Sequence, residues 1–144
     1  MIRCTPRLGP MPSVYTKVMA GDLPGRFVYT DDQATAFLTV APLRPGHTLV
    51  VPRQEIDHWQ DLPPELAAHV FAVAQRIALA LRTAFPSKRV GLVIAGLEVR
   101  HTHLHVVPID ALDDLDFRRV DTAPDPTALD DAAERIGTAL AALG

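Results

Sequence analysis

Three histidines alternate with Thr and Leu in the segment His101-Thr102-His103-Leu104-His105, and two valines follow. Side chains on an extended strand point alternately to its two faces, so this spacing predicts a strand that presents all three imidazoles on one face. Imidazoles titrate near neutral pH and can donate, accept, attack or ligate. The row is therefore typical of an active-site wall or a metal site, and a purely structural role is the less favoured interpretation.

Composition narrows the classes of protein that this chain can belong to. With 144 residues, 48% hydrophobic and 22% charged, it has the length and make-up of one globular domain. The net charge of −3 argues against a nucleic-acid partner. The single cysteine, Cys4, excludes an intramolecular disulfide. We find no apolar run of membrane-spanning length and no hydrophobic signal core, and so expect a cytoplasmic protein without membrane contact.

The remaining pattern predicts an α+β fold with an antiparallel sheet. Residues 14–20 are expected to form a short helix, and a long helix opens at Pro63-Pro64-Glu65 with Asp61 as its cap. Its buried stripe comprises Leu66, Val70, Val73, Ile77, Leu81 and Ala84, and Pro86 ends it. Strands are predicted at residues 26–30, 34–39, 47–51 and 90–94, followed by the histidine strand.

The two ends of the chain differ from its centre. Residues 1–12 carry three prolines and no periodic pattern, which indicates a flexible arm. We assign residues 13–109 to the domain and 110–144 to a C-terminal extension. The extension begins with an acidic segment that could rim the site. It ends in a helix that starts at Asp125-Pro126-Thr127 and packs on the domain through Leu129, Ala133, Ile136 and Leu140.

Two further motifs complete a family pattern. Before the histidine segment the chain reads Gly21-Asp22-Leu23-Pro24 and Pro45-Gly46-His47-Thr48-Leu49-Val50-Val51-Pro52. Together with the histidines, these motifs resemble the histidine triad (HIT) superfamily of nucleotide hydrolases and transferases. The segments Ala95-Gly96-Leu97-Glu98-Val99 and GRFVY…AFLTV look like an uncharacterised actinobacterial branch of that family. The resemblance runs from about residue 14 to residue 108. It implies a five-stranded antiparallel sheet with a long helix between strands 3 and 4, and a homodimer.

The resemblance also implies a reaction. His103 would attack the α-phosphorus of a purine nucleoside phosphoramidate or related nucleotide and form a nucleotidyl-histidine intermediate. His101 and His105 would flank it and donate to the phosphoryl oxygens or the leaving group, with His47 behind them. The chemistry suits these residue types, because a neutral imidazole is a competent nucleophile near pH 7 and flanking imidazoles can stabilise the developing charge.

The same resemblance suggests a nucleotide pocket, with departures. Relatives place an Asp on the ribose where this chain has Thr39, and their phosphate-gripping amide and hydroxyl are replaced here by Leu97 and Glu98. We expect Glu98 to point to solvent. The expected nucleotide-binding residues are Tyr15, Val18, Leu23, Phe37, Thr39 and Val40.

A second departure concerns zinc. Many relatives hold a structural zinc with a Cys-x-x-Cys pair, a further histidine and the first triad histidine. The corresponding positions here are Ser13, Thr16 and Glu55. Thiolates are strong zinc ligands and hydroxyls are poor substitutes, and Cys4 lies too far upstream to compensate. We therefore predict no structural zinc, no other metal and no cofactor.

Two alternatives to the enzyme remain open. The lost ribose and phosphate contacts favour a catalytically weak module that binds a nucleotide or another phosphate. A metal protein that uses three imidazoles of one strand is the third hypothesis. Alternate strand residues lie about 6.6–6.8 Å apart, so convergence of all three rings on one ion would be strained. The other two histidines, His58 and His69, are expected to be partly exposed polar residues.

Overall fold

Five strands form one antiparallel sheet with the order β1-β2-β3-β5-β4. The computed structural model describes residues 11–144, so all but the last two residues of the predicted arm lie outside it. The strands are β1 Phe27–Thr30, β2 Ala34–Leu38, β3 Thr48–Pro52, β4 Arg89–Val93 and β5 Leu104–Ile109. The helices are α1 Val14–Ala20, α2 Pro64–Ala84 and α3 Pro126–Ala142. The predicted α+β architecture, with the long helix between strands 3 and 4, is confirmed.

Helix α1 is defined by its two ends. The hydroxyl of Ser13 accepts a hydrogen bond from the backbone N–H of Thr16 at 3.1 Å, which satisfies one of the free donors of the first turn. Gly21 ends the helix in the left-handed conformation, with φ of 84°. Val18 is buried, so this short helix is anchored at its centre and at both ends.

Helix α2 supplies most of the core that covers one face of the sheet. All the residues of its predicted apolar stripe are buried. The predicted cap was wrong: Asp61 belongs to a separate 3₁₀ turn over Trp59–Asp61, and Pro63 precedes the helix without a side-chain cap. Proline at the first helical position leaves fewer backbone donors to satisfy, which makes a side-chain cap dispensable.

The composition of α2 corrects one expectation from the sequence. Residues Pro64–Ala84 are long and apolar enough to cross a membrane, with a mean hydropathy of 1.2 in the best window. The buried side chains of α2 pack on the sheet and on α3. The core helix of a soluble protein has this same composition, so the finding is weak evidence for a membrane span.

The histidine strand begins later than its pattern predicts. Strand β5 starts at Leu104, so His101 and His103 precede the paired region. The reason lies in Thr102, whose backbone N–H donates to the carbonyl of Ile56 at 2.7 Å and whose hydroxyl donates to the same oxygen at 2.8 Å. These bonds dock the first part of the triad on the loop that follows β3, outside the strand ladder.

The C-terminal helix packs on the body of the fold. Asp125 caps α3 by accepting from the N–H of Thr127 at 3.0 Å. Helix α3 contacts α2, β1 and β2. It buries Ala132, Ile136, Ala139 and Leu140. This face differs from the predicted one by about one residue position, because Leu129 and Ala133 are only partly buried.

Candidate functional site

The histidines lie around a cavity of about 290 Å³ beside the start of β5. Its lining comes from five places in the sequence: helix α1, the segment before β3, the 95–99 loop, the triad and the C-terminal extension. The lining residues are Tyr15, Thr39, Ala41, His47, Ala95, Gly96, Leu97, Glu98, Val99, His103, His105, Phe117 and Val120.

His103 is held in the orientation that a nucleophile requires. Its Nδ1 lies 2.7 Å from the backbone oxygen of His101. A carbonyl can only accept, so Nδ1 carries the proton and the lone pair of the neutral ring is on Nε2. None of the residues 11–144 forms a hydrogen bond with Nε2, and the residue is 5% exposed. Burial lowers the pKa of His103, which keeps the ring neutral.

His47 and His105 form a second oriented pair. The backbone N–H of Leu43 donates to Nδ1 of His47 at 3.0 Å, so the proton of the neutral His47 ring is on Nε2. That Nε2 lies 2.9 Å from Nδ1 of His105. His105 therefore accepts at Nδ1 and carries its own proton on Nε2. This series of hydrogen bonds begins at the backbone N–H of Leu43 and ends at His105, whose Nε2–H lies at the cavity wall.

Burial keeps these two rings uncharged as well. Burial, with smaller contributions from the neighbouring His105 and His103, lowers the pKa of His47 to about 3. Burial, with a smaller contribution from His103, lowers the pKa of His105 to about 4. At neutral pH the site thus holds neutral imidazoles with defined donor and acceptor atoms, which can act as a nucleophile and a hydrogen-bond donor.

His101 lies behind the cavity wall. It is fully buried, and its Nε2 donates to the carbonyl of Pro52 at 2.8 Å. Its Nδ1 lies 2.6 Å from the hydroxyl of Ser13. Of the three rings predicted to share one face, only His103 and His105 line the cavity. The ring of His101 supports the site from beneath.

The four positions that correspond to a zinc site in relatives do come together. The hydroxyl of Ser13 contacts His101, and Glu55 Oε1 accepts from the hydroxyl of Thr16 at 2.8 Å and from the backbone N–H of Ser13 at 2.6 Å. These four residues include no thiolate, and both nitrogens of the His101 imidazole are already hydrogen-bonded. These residues do not fit a structural zinc ion.

The third hypothesis, a triad that binds a metal, gains no support from the geometry. Within residues 11–144, no group of three or more His, Cys, Asp or Glu is arranged to hold a metal ion. His58 is 65% exposed at its side chain, and His69 is partly buried and contacts Asp31 at 2.7 Å. Both remain outside the cavity, as expected of partly exposed polar residues.

The predicted nucleotide-binding residues divide into three groups. Tyr15 and Thr39 line the cavity. Val18 and Phe37 lie in a small buried cluster beneath it, which Tyr15 covers. Leu23 and Val40 are exposed, at 37% and 71%, and do not line it. The sequence pattern could place an apolar residue near the site, but it could not distinguish a wall residue from one that supports the wall.

Tyr15 connects helix α1 to the triad. Its ring centroid lies 4.9 Å from that of His103 and 5.9 Å from that of His101, in both cases edge-on. Burial, with a contribution from the charge of Glu98, raises the pKa of Tyr15 to about 12. Tyr15 therefore stays a neutral phenol and forms one wall of the cavity beside His103.

Two parts of the cavity were not predicted as site residues. Glu98 is exposed, as expected, yet it lines the rim. Phe117 and Val120 come from the C-terminal extension, and the ring of Phe117 lies edge-on to His105 with 4.8 Å between centroids. The one available signal was an aromatic residue within an acidic segment directly after the triad.

Two ion pairs fix the extension at the cavity. Arg44 contacts Asp114 at 2.6 Å and Asp110 at 3.0 Å, each through a separate guanidinium nitrogen. The backbone N–H of Asp121 also donates to the carbonyl of Pro42 at 2.9 Å. Because Arg44 and Pro42 lie in the loop that leads to His47, these contacts join the extension to the part of the chain that positions His47.

Comparisons with known proteins identify similar sequences and structures. A sequence model of the family described as HIT domain matches residues 20–112. Protein hit from Bacillus subtilis is 35% identical over 102 residues, which cover 66% of this chain and 69% of that protein. Adenylylsulfatase HINT3 from Arabidopsis thaliana is 29% identical over 100 residues, or 66% of this chain and 51% of that protein.

A solved structure extends the similarity to the whole fold. The Zn-bound histidine triad family protein from Mycobacterium smegmatis superposes with a TM-score of 0.76 and is 32% identical. The alignment covers 90% of this chain and 94% of that one. With the family match over more than half of the sequence, the five-stranded sheet and the clustered histidines, this chain belongs to the HIT domain family.

Proposed function

We propose that this protein is a hydrolase or nucleotidyl transferase that acts on the α-phosphorus of a purine nucleoside phosphoramidate or related nucleotide. The observation that carries the proposal is the hydrogen bond from Nδ1 of His103 to the backbone oxygen of His101 at 2.7 Å. It leaves the lone pair of a neutral, buried imidazole on Nε2, beside a cavity of about 290 Å³. An imidazole in this state attacks phosphorus without a separate base.

The reaction would proceed in two displacements. In the first, Nε2 of His103 bonds to the α-phosphorus while the bond to the leaving group breaks. The leaving amine or oxyanion takes up a proton from solvent and departs, and the nucleotide remains on the histidine. In the second, water attacks the phosphorus and releases a proton to solvent. The bond between the phosphorus and Nε2 of His103 breaks, and the nucleoside monophosphate leaves with His103 neutral again. Division into two steps replaces one difficult displacement with two easier ones.

His105 would stabilise the charge that develops in both steps. Its Nε2–H is fixed as a donor because its Nδ1 accepts from His47 at 2.9 Å. A preorganised donor beside developing negative charge needs no reorganisation during the reaction. The second displacement and the first use the same donor, so the pair His47–His105 would act twice in each turnover.

The comparisons support this class of reaction. This chain belongs to the HIT domain family, and one relative is named an adenylylsulfatase, which is a hydrolase of an adenylyl group. The same adenylyl transfer to a histidine would serve phosphorus–nitrogen and phosphoanhydride bonds alike. The predicted site is His103, His101 and His105 with His47, and Tyr15 and Thr39 are the cavity residues that would contact the nucleoside.

A catalytically weak nucleotide- or phosphate-binding module is the second candidate. Three positions favour it. Thr39 offers one hydroxyl where relatives are expected to place a carboxylate, and Leu97 and Glu98 stand in the loop that would grip the phosphate. Glu98 forms no ion pair with another of the residues 11–144 and lies at the cavity rim, where it would repel an anionic ligand.

We propose a homodimer formed through α2 and the edge strand β4. This surface exposes Phe71 at 57%, Leu79 at 41% and Leu92 at 42%. An unpaired strand beside exposed apolar side chains is typical of an interface. Light scattering of the wild type and of Leu92→Glu tests this: we expect a dimer and a monomer respectively. A monomeric wild type would exclude it.

The proposals on localisation, partners, domain bounds and zinc rest on the sequence and on the chemistry of the residues at the expected zinc positions. We propose a cytoplasmic protein without membrane or nucleic-acid partners, with a domain over residues 13–109 and an extension over 110–144. We also propose that it carries no structural zinc, because hydroxyls and a carboxylate stand at the expected ligand positions. Elemental analysis of protein purified without a metal-affinity tag would give less than one zinc per five chains; one zinc per chain would contradict this.

The function is tested by incubating the wild type and His103→Ala with adenosine 5′-phosphoramidate. We expect AMP release by the wild type and a loss of about 10³-fold or more in the variant, since a nucleophile cannot be replaced by binding alone. Calorimetric titration with AMP gives the second measurement. Binding of AMP by both proteins without hydrolysis by the wild type would favour the binding module. If the wild type neither binds AMP nor hydrolyses the substrate, both candidates are excluded.

A further inference from the structure

Ser13 has a hydroxyl whose bonding directions are fully assigned. Its oxygen accepts from the backbone N–H of Thr16 at 3.1 Å. The same oxygen lies 2.6 Å from Nδ1 of His101. Nε2 of that ring already donates to the carbonyl of Pro52 at 2.8 Å, so in the neutral ring Nδ1 is the acceptor. The same oxygen lies 3.3 Å from the hydroxyl oxygen of Thr16, a second possible acceptor. Because the hydroxyl has one proton and the contact with Nδ1 is much shorter, the proton of Ser13 is directed at His101.

Glu55 holds this hydroxyl in place. Its Oε1 accepts from the backbone N–H of Ser13 at 2.6 Å and from the hydroxyl of Thr16 at 2.8 Å. The backbone N–H bond is the largest of the influences that lower the pKa of Glu55, so the carboxylate stays ionised. The start of α1 is thus fastened to the loop after β3 at the point where it meets His101.

The position of His101 directly affects the orientation of His103. The backbone oxygen of His101 accepts from Nδ1 of His103 at 2.7 Å. The imidazole of His101 is fully buried and bonded at both nitrogens, so a rotation of its ring would break two hydrogen bonds. Any shift of this residue moves the oxygen that determines which nitrogen of His103 is protonated.

We propose that Ser13 is a positioning residue for the nucleophile, because its hydrogen bond to His101 holds the residue whose backbone oxygen orients His103. The proposal rests on the proposed function for its kinetic effect, but its structural claim is independent of activity. In this chain the hydrogen bond of Ser13 and the edge of the Tyr15 ring connect the start of α1 to the triad.

The Ser13 hydroxyl also separates His101 from a charge. Glu55 Oε1 lies 3.9 Å from Nδ1 of His101, beyond direct hydrogen-bond distance. The edge of the Tyr15 ring lies on another side, with 5.9 Å between ring centroids. Without the hydroxyl, the lone pair of Nδ1 would face the carboxylate with no donor between them, and the ring would turn away from it. That rotation would shift the backbone oxygen on which His103 depends.

The test compares Ser13→Ala and Ser13→Thr with the wild type. Threonine keeps both the hydroxyl and the helix cap, so it should restore what alanine loses. Asp125→Ala is the matched control, because it removes the equivalent cap of α3, a 3.0 Å bond from the N–H of Thr127, at a residue that does not line the triad cavity. Imidazole ¹⁵N spectra of the free proteins are recorded first, followed by kcat and KM for adenosine 5′-phosphoramidate.

In Ser13→Ala we expect the ¹⁵N resonances of both His101 and His103 to move, and kcat to fall about 10-fold with KM changed less than about threefold. Ser13→Thr and Asp125→Ala should match the wild type in both measurements. Unchanged His103 resonances in Ser13→Ala would overturn the proposal, whether or not the wild type hydrolyses the substrate. A wild type without activity but with the predicted spectral change would instead refute the proposed function alone.

Should Ser13→Ala fail to fold, Ser13→Asp keeps the helix cap and removes the donated proton. A carboxylate beside Nδ1 would then require that atom to be protonated. The expected result is a His101 spectrum of a ring with both nitrogens protonated and a displaced His103 resonance. A His101 spectrum identical to that of the wild type would contradict the proposal.

Discussion

The Nε2 atom of His47 lies 2.9 Å from Nδ1 of His105, and the backbone N–H of Leu43 fixes the direction of this bond. Replacement of His47 by leucine would leave His105 without its donor, so its proton could move from Nε2 to Nδ1. We expect kcat/KM to fall about 10- to 100-fold, since an oriented donor at developing charge is lost. His47→Gln retains an N–H donor and should lose less. Equal losses in the two variants would contradict the orienting role.

The pH dependence of activity follows from the state of His103. The nucleophile must be unprotonated, and burial holds its pKa below the ordinary value of 6.5. Activity should therefore be retained as the pH falls from 8 to 6.5 and lost below it, as His103 takes up a proton. Burial also lowers the pKa of His105 to about 4 and that of His47 to about 3, so these two rings stay neutral over the same range. A midpoint above 6.5 would contradict this assignment.

Phe117 gives the C-terminal extension a direct part in the cavity. Its ring lies edge-on to His105 with 4.8 Å between centroids. A purine in the cavity would make a ring contact of the same kind with Phe117, worth about 0.5–1.5 kcal/mol, so Phe117→Ala should weaken AMP binding about 2- to 12-fold and leave the fold intact. Leu112→Ala is the matched control, since Leu112 belongs to the same extension and is 84% exposed. Calorimetric titration measures both. An unchanged affinity in Phe117→Ala would show that Phe117 does not contribute to AMP binding.

The sequence predicts the fold well where one periodic pattern determines the structure. The buried stripe of α2 and the strand segments follow from hydrophobic spacing alone. The alternation of histidines predicted the orientation of the rings less accurately, because a contact outside this segment determines where strand pairing begins. Thr102 bonds to Ile56, so His101 turns into the interior while His103 and His105 face the cavity. No local pattern encodes that contact, which joins residues 46 positions apart.

The site was predictable only in part for a similar reason. Its histidines form a compact motif, whereas Phe117 and Glu98 reach the cavity through ion pairs and loops that the sequence pattern does not specify. Ser13 and Glu55 illustrate the other limit. As isolated positions they indicate a missing metal site, and only their spatial arrangement reveals a hydrogen-bonded link.

A cluster remote from the cavity contributes to stability. Asp31 accepts from the hydroxyl of Tyr29 at 2.6 Å and from Nε2 of His69 at 2.7 Å, which joins the β1–β2 turn to α2. Burial raises the pKa of Asp31, but these bonds and two from backbone N–H groups outweigh it and hold the pKa at about 2. Because the folded pKa lies below the unfolded one, the stabilisation is present above pH 4 and lost as the pH falls toward 2.

Asp31→Asn should therefore lower the free energy of unfolding by about 1–3 kcal/mol at pH 7, because a charge-assisted acceptor of several hydrogen bonds is weakened. Asp32→Asn is the matched control, since Asp32 is the exposed neighbour in the same turn. Urea unfolding at pH 7 and pH 3 measures both variants. We expect the difference between Asp31→Asn and the wild type to shrink at the lower pH. A difference that stays constant would show that the charge of Asp31 contributes nothing.

The most direct test of the central claim is the mass of the intact protein during turnover. Wild type mixed with adenosine 5′-phosphoramidate is quenched within seconds in alkaline denaturant, which preserves a phosphorus–nitrogen bond. We predict a species heavier by one adenylyl group, with the modification on His103 and none in His103→Ala. Turnover without any adduct, or an adduct that persists in His103→Ala, would contradict covalent catalysis by His103.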